Sequence, residues 1–208
     1  SWLRCSVWVR HDRLWADSAR TAPHHPRPHL NLGAHWAGQG AWGEASKAYE
    51  AALATDSSDE RALFTLRNRF EAAVERGDWE RADQSLGMLR GRSQGDPDRA
   101  LESWGGGVGG FDVPLCLRLQ AGRPMPAGHL EWGIAVIERS LRGRPDSRAA
   151  GNLGNLEWMR GNAQGAVRWY REALRLHAAQ AQPDPSVERD LHLSLERALL
   201  AIEPGVER

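Results

Sequence analysis

One eight-residue pattern occurs twice in this chain, and it restricts the fold more than any other feature. Asn31-Leu32-Gly33 is followed by Gly40, Ala45, Tyr49, Ala52 and Leu53, and Asn152-Leu153-Gly154 by Gly161, Ala166, Tyr170, Ala173 and Leu174, at the same offsets and without a gap. Self-similarity of this kind marks repeat architectures, in which one supersecondary unit cannot bury its apolar face alone and stacks on its neighbours.

The small residues in the pattern have physical roles. Gly33 and Gly154 let a second helix cross closely, Ala45 and Ala166 do the same from the facing side, and Gly40 and Gly161 end the first helix of each pair. Tyr49 and Tyr170 then fill the space between the two helices. A Leu-Gly pair, an alanine twelve residues on, an aromatic four later and then Ala-Leu resembles the helix-turn-helix signature of the tetratricopeptide repeat. The resemblance implies an all-α, right-handed α-solenoid of helix-turn-helix units, each about 34 residues long.

A weaker copy is readable at Gly77-Asp78-Trp79, with Ala82 five residues after the glycine, Leu86 in the aromatic's place, and a first helix over about 60–76 that lacks the Leu-Gly pair. The two strong glycines are 121 residues apart, or three units of about 34 plus 19, so two units with insertions lie between them. The expected units are 26–59, 60–96, an irregular 97–146 and 147–180, within an array spanning 26–182. Trp104-Gly105-Gly106-Gly107-Val108-Gly109-Gly110-Phe111 breaks the irregular unit, because each glycine inside a helix costs about 1 kcal/mol. A loop is expected there, then a short partner helix over 112–121. An amphipathic helix should run from His129 to Arg142, with Leu130, Ile134, Ile137 and Leu141 on one stripe.

At the start, over 1–25, Leu14, Trp15 and Ala19 ahead of Pro23 read as the second helix of a partial repeat. At the end, over 183–208, Asp184 offers an N-cap with Pro185 in the first turn. Val187, Leu191, Leu195, Leu199 and Ile202 then recur at helical spacing up to Pro204-Gly205, which describes a C-terminal capping helix.

Composition agrees with short helices and removes several functional classes. Ten Trp, 22 Gly and 11 Pro describe many short segments with aromatic filling. Lys and Arg number 27 against 27 Asp and Glu, so no net field attracts nucleic acid. Lys47 is the sole lysine, an arginine bias present in loops and helices alike. Cys5 and Cys116, 111 positions apart, form no CxxC or Cys/His pairing, so neither a disulfide scaffold nor a structural zinc site is indicated, and the redox compartment stays open. The chain begins at Ser1, as a processed or trimmed product would, and contains no apolar run of the roughly 18 residues that span a bilayer.

Catalytic signatures are lacking: there is no GxSxG, no HExxH, and no local motif around either cysteine. The glycine loop at 105–110 invites comparison with a phosphate cradle. It lacks the Lys-Ser/Thr of a P-loop and a preceding strand, and Pro114 argues against a helix directly behind it, so a connection is expected. His11, His24, His25, His29 and His35 cluster, yet His24 and His25 lie between Pro23 and Pro26, as in an exposed turn, and no metal is expected. No cofactor is expected either.

Binding is the better reading. Asn31 and Asn152 share a register, and Asn68 approaches it in the weak copy. In tetratricopeptide arrays that position lines the concave groove. The arrangement resembles the asparagine ladder in the repeats of the O-linked N-acetylglucosamine transferase, where amides hold an extended peptide backbone. The other reading is that each amide bonds a neighbouring loop. Trp36 and Trp158, on the first helices of the strong units, have two readings, an apolar anchor for a partner or core packing. Arg4, Trp8, Leu14-Trp15, Asp17-Ser18, Pro23 and Arg27 ahead of Asn31-Leu32-Gly33 also resemble the passage into the repeat tail of multi-spanning protein O-mannosyltransferase-like membrane proteins. That resemblance implies association with a membrane complex on its periplasmic or other non-cytoplasmic side.

The chain is therefore expected to be a non-catalytic interaction or scaffold subunit whose partner is a protein or peptide, with no nucleic acid and no small-molecule substrate. Two alternatives are the soluble tail of a membrane glycosyltransferase and a small enzyme using the glycine loop.

Overall fold

A computed structural model describes residues 11–55, 58–108, 110–122, 126 and 128–202. Among them every regular element is a helix: α1 (His11–Thr21), α2 (Pro26–Gly38), α3 (Trp42–Thr55), α4 (Asp59–Glu75), α5 (Trp79–Arg92), α6 (Pro97–Ser103), α7 (Asp112–Gln120), α8 (His129–Gly143), α9 (Ser147–Met159), α10 (Ala163–Ala178) and α11 (Pro185–Leu200). The chain divides into two compact units, Ser1–Asp96 and Pro97–Arg208. Arg4, Cys5 and Trp8, part of the expected N-terminal segment, lie outside the described residues, as do Gly109 and the Pro204-Gly205 terminator. None of the described helices is long and apolar enough to cross a membrane.

In the first unit α2 pairs with α3 and α4 with α5, while α1 packs on α2 and α3 on α4. The α2/α3 turn forms because Gly40 adopts φ 69°, open to glycine but strained for other residues. Close approach then follows from Gly33, whose missing side chain leaves room for the Tyr49 ring. Ala45 and Ala52 are fully buried and Tyr49 nearly so, and burial pushes the Tyr49 phenol well above its ordinary pKa. The α4/α5 hairpin keeps its turn glycine at Gly77, with φ 68°, and Asp78 caps α5 by accepting from the Arg81 amide. Leu63, Leu66, Phe70, Leu86 and Leu89 form its buried face.

In the second unit α9 and α10 repeat the same hairpin. Gly161 turns at φ 84°, Gly154 lies against Tyr170, and Ala166 and Ala173 are fully buried. Glu157, 1% exposed, ties this turn by accepting from Nε and Nη2 of Arg160 at 2.7 and 2.8 Å and from Asn162 at 2.7 Å. The capping helix α11 begins as its sequence indicates, with Asp184 accepting from the Ser186 amide and Pro185 in the first turn. Leu191, Leu195, Leu199 and Ile202 cover Ala166, Val167 and Tyr170, whereas Val187 is 40% exposed and stands apart from that stripe.

The irregular segment is more ordered than its glycines suggest. A seven-residue helix, α6, precedes the loop and packs on α8 through a face that includes Ala100 and Leu101. Its brevity leaves no helical period to read in the sequence. Trp104 and Phe111, both buried, close the loop from its two ends, with ring centroids 5.2 Å apart. Pro114 does not keep a helix away from the loop. Helix α7 starts at Asp112, and Pro114 falls in its first turn, where a missing N–H costs nothing.

Candidate functional site

The face of α9 that carries Asn152 floors a cleft of about 850 Å³ in the second unit. Helix periodicity places Arg148, Gly151, Asn152 and Asn155 on this one face. Asp112 and Val113 of α7 form one wall, and Val187, Leu191 and Ser194 of α11 the other. Gly151 is buried because Leu191 of the capping helix lies over it, so the depth of the cleft depends on a glycine at that turn.

Two asparagines one turn apart divide their hydrogen-bonding capacity in opposite ways. Asn152 donates from Nδ2 to Oδ2 of Asp112 at 2.5 Å, and Oδ1 has no partner among the described residues. Asn155 accepts at Oδ1 from the Tyr170 hydroxyl at 2.8 Å, which leaves its NH2 group without a described acceptor. Burial pushes the Tyr170 phenol up to about 12, so it remains a donor at neutral pH and fixes which way the Asn155 amide faces. The Asp112 carboxylate fixes Asn152 in the same way. One amide therefore offers an acceptor and the next a donor, the complement of a peptide unit.

Helix α7 is fastened to α9 at this point. Cys116 donates its thiol to the Asn152 carbonyl at 3.4 Å, and Asp112, 3% exposed, holds the side chain of the same residue. Burial, with the Asp112 charge adding to it, pushes the Cys116 thiol up to about 12. Little thiolate exists at pH 8, so Cys116 should react with iodoacetamide about a hundredfold more slowly or worse in the folded protein than after unfolding, as mass-spectrometric mapping would read. Fast labelling of Cys116 in the folded chain would contradict this burial.

The other residues singled out in the sequence take different positions. Asn31 is half-buried on α2, and Asn68, half-buried on α4, accepts from Arg67 at 3.3 Å; both belong to the first unit. Trp36 packs with Leu30, Ala37 and Trp42 against Ala45, Tyr49 and Ala72. Trp158 packs against the cluster of Ala166, Val167 and Tyr170 and does not line the cleft. The duplicated pattern hides Asn155, because Ala34 stands at its register in the first copy; its spacing of three from Asn152 is the signal that places it on the same face. Asp112 and Val113 have no such signal, since they reach the cleft only through the tertiary packing of α7.

Among the described residues, Gly105 and Gly106 of the glycine loop, and His25 and His29 of the histidine cluster, make local structural hydrogen bonds. The N–H groups of Gly105 and Gly106 are taken by the carbonyls of Glu102 and Leu101, and the loop turns its own carbonyls toward Arg144 and Ser140. That arrangement presents acceptors where an anion needs donors. His25 caps α2 by accepting from the Arg27 amide, and His29 bonds the Pro23 carbonyl. No group of three His, Cys, Asp or Glu side chains suited to a metal occurs among the described residues.

No protein-family model matches this sequence, and no curated protein matches it. Solved structures do resemble it. A crystal structure of MamA is 16% identical over 79% of this chain and 85% of that one, with a TM-score of 0.55. A second MamA structure, also 16% identical, covers 82% of each chain at a TM-score of 0.56. A tetratricopeptide repeat protein from Parabacteroides merdae ATCC 43184 is 20% identical over 92% of this chain and 69% of that one, with a TM-score of 0.55. The fold is of the tetratricopeptide-repeat type. Within it, α9 and α10 pair as a hairpin, and the cleft lies over the face of α9 that carries Asn152 and Asn155.

Proposed function

We propose that this chain is a non-catalytic tetratricopeptide-type binding module that holds an extended peptide of a protein partner in the cleft over α9. The complementary vacancies of Asn152 and Asn155, one acceptor and one donor a helical turn apart, carry this reading. A peptide backbone supplies one N–H and one C=O per residue and can meet both groups whatever its side chains. Arg148, exposed on the same face, and the apolar wall at Val187 and Leu191 provide side-chain selectivity around that anchor. Asn31 and Asn68 extend the proposal to the first unit as further amides for a backbone.

A partner recovered by co-purification from the native source, and reduced to its binding peptide, supplies the test. The double variant Asn152→Ala/Asn155→Ala should weaken its binding about tenfold or more, since each lost hydrogen bond removes about 0.5–1.5 kcal/mol. Because both amides also have partners within the protein, Val187→Trp serves as a second probe. It removes no hydrogen bond and fills the cleft, so it should block the peptide while far-UV circular dichroism stays unchanged. Full affinity in both variants would refute the site.

A further inference from the structure

A second groove, of about 680 Å³, lies between α8 and α10 and shares no lining residue with the cleft over α9. Leu141, Val167 and Trp169 give it an apolar floor, with Leu141 and Val167 almost wholly buried. Its rim is cationic. Arg142 stands on α8, while Arg168, Arg171 and Arg175 follow one another along about 10 Å of α10, at the 1.5 Å rise of a helix.

Internal carboxylates answer only part of this charge. Arg175 is held by Glu172, at 2.8 Å through Nε and 2.6 Å through Nη2. Arg168 reaches Glu138 at 3.3 Å through a side chain that is 66% exposed, a pair that contributes about 0–1 kcal/mol and gives way readily to a competing anion. The same guanidinium stands over the Trp169 ring, 4.9 Å from its centroid. Arg142 lies within the field of Asp98, a carboxylate already paired with Arg139 and so only partly available to it, and Arg171 hydrogen-bonds no carboxylate among the described residues. In a chain whose formal net charge is zero, this is a local surplus of cations around an apolar floor.

We infer that the α8/α10 groove binds an acidic segment of a partner protein, in which carboxylates meet the arginines and an apolar side chain enters over Leu141, Val167 and Trp169. Carboxylate-bearing side chains match guanidinium forks in geometry as well as charge. A nucleic acid fits less well, because its attraction to protein grows with the number of phosphates neutralised and the chain has no net positive field to add. The Arg168 guanidinium already stands over the Trp169 ring, where a base would stack.

Fluorescence anisotropy of the full chain with a labelled short peptide of alternating Glu and Leu tests the inference. The peptide should bind, and its affinity should fall between about 50 and about 300 mM salt, as screening of exposed charges requires. Arg142→Glu/Arg171→Glu should weaken binding about tenfold or more, and the neutral Arg142→Gln/Arg171→Gln pair by a smaller factor, with unchanged circular dichroism. Val187→Trp, in the other cleft, should leave it unaffected, so failure of the first site and of this one are told apart. The inference is overturned if the Glu-Leu peptide does not bind, if a Gln-Leu peptide binds as tightly, if the arginine variants bind normally, or if a thymidine oligonucleotide binds the groove in preference to the peptide.

Discussion

Gly154→Ala should destabilise the protein by about 2 kcal/mol, although alanine is normally the better helix residue by about 1 kcal/mol. The added Cβ would lie 2.6 Å from both Cδ1 and Cε1 of Tyr170 and 3.1 Å from Cζ. The ring cannot swing aside, because Tyr170 is 3% exposed and its hydroxyl is held by Asn155. Reversal of sign makes the test specific. In a Tyr170→Ala background the obstacle is gone, and the same glycine substitution should stabilise by about 0.5–1 kcal/mol through helix propensity. Urea unfolding of the four proteins reads the cycle. A Gly154→Ala effect of one sign in both backgrounds would show that the ring does not set the helix spacing. Gly33 faces Tyr49 still more closely, so the same argument holds in the first unit.

Phe111→Ala should cost about 3–5 kcal/mol, the range for removing a buried aromatic ring. Phe111 is 1% exposed, lies 5.2 Å from Trp104 and 6.2 Å from Trp132 between ring centroids, and closes a segment in which Gly105, Gly106 and Gly110 all have positive φ. Glycines lose much conformational entropy on ordering, and the aromatic cluster is what offsets it here. Removing the ring should therefore also abolish amide hydrogen-exchange protection of Gly106, whose N–H bonds the Leu101 carbonyl. A loss below about 1 kcal/mol would mean that the loop is held by something other than this cluster.

The hairpins were legible in the sequence because their determinants are local. A positive-φ glycine, a glycine facing a ring and a run of small residues are all written within one repeat, so Gly33, Gly40, Tyr49 and their counterparts announce the geometry that the structure contains. The irregular segment was readable only as far as periodicity reaches. α8 has its stripe of Ile134, Ile137 and Leu141, whereas α6 has seven residues and no period. The short helix expected over 112–121 forms as Asp112–Gln120, with Pro114 in its first turn, which suits proline although a helix interior excludes it. The cleft was half-legible. Asn152 stands out by duplication, but Asp112, which fixes how its amide faces, is 40 residues away and reaches it through packing that no spacing rule encodes.

The ring-against-glycine fit has a further consequence for how such a chain can change over time. Both partners of the fit sit in one hairpin, so the spacing of its two helices is set locally, while its outer face still needs a neighbour: Ala72 against Tyr49 in one case, Leu191, Leu195 and Leu199 against Tyr170 in the other. A hairpin of this kind keeps its internal spacing when the sequence beside it varies, provided an apolar side chain still covers its outer face.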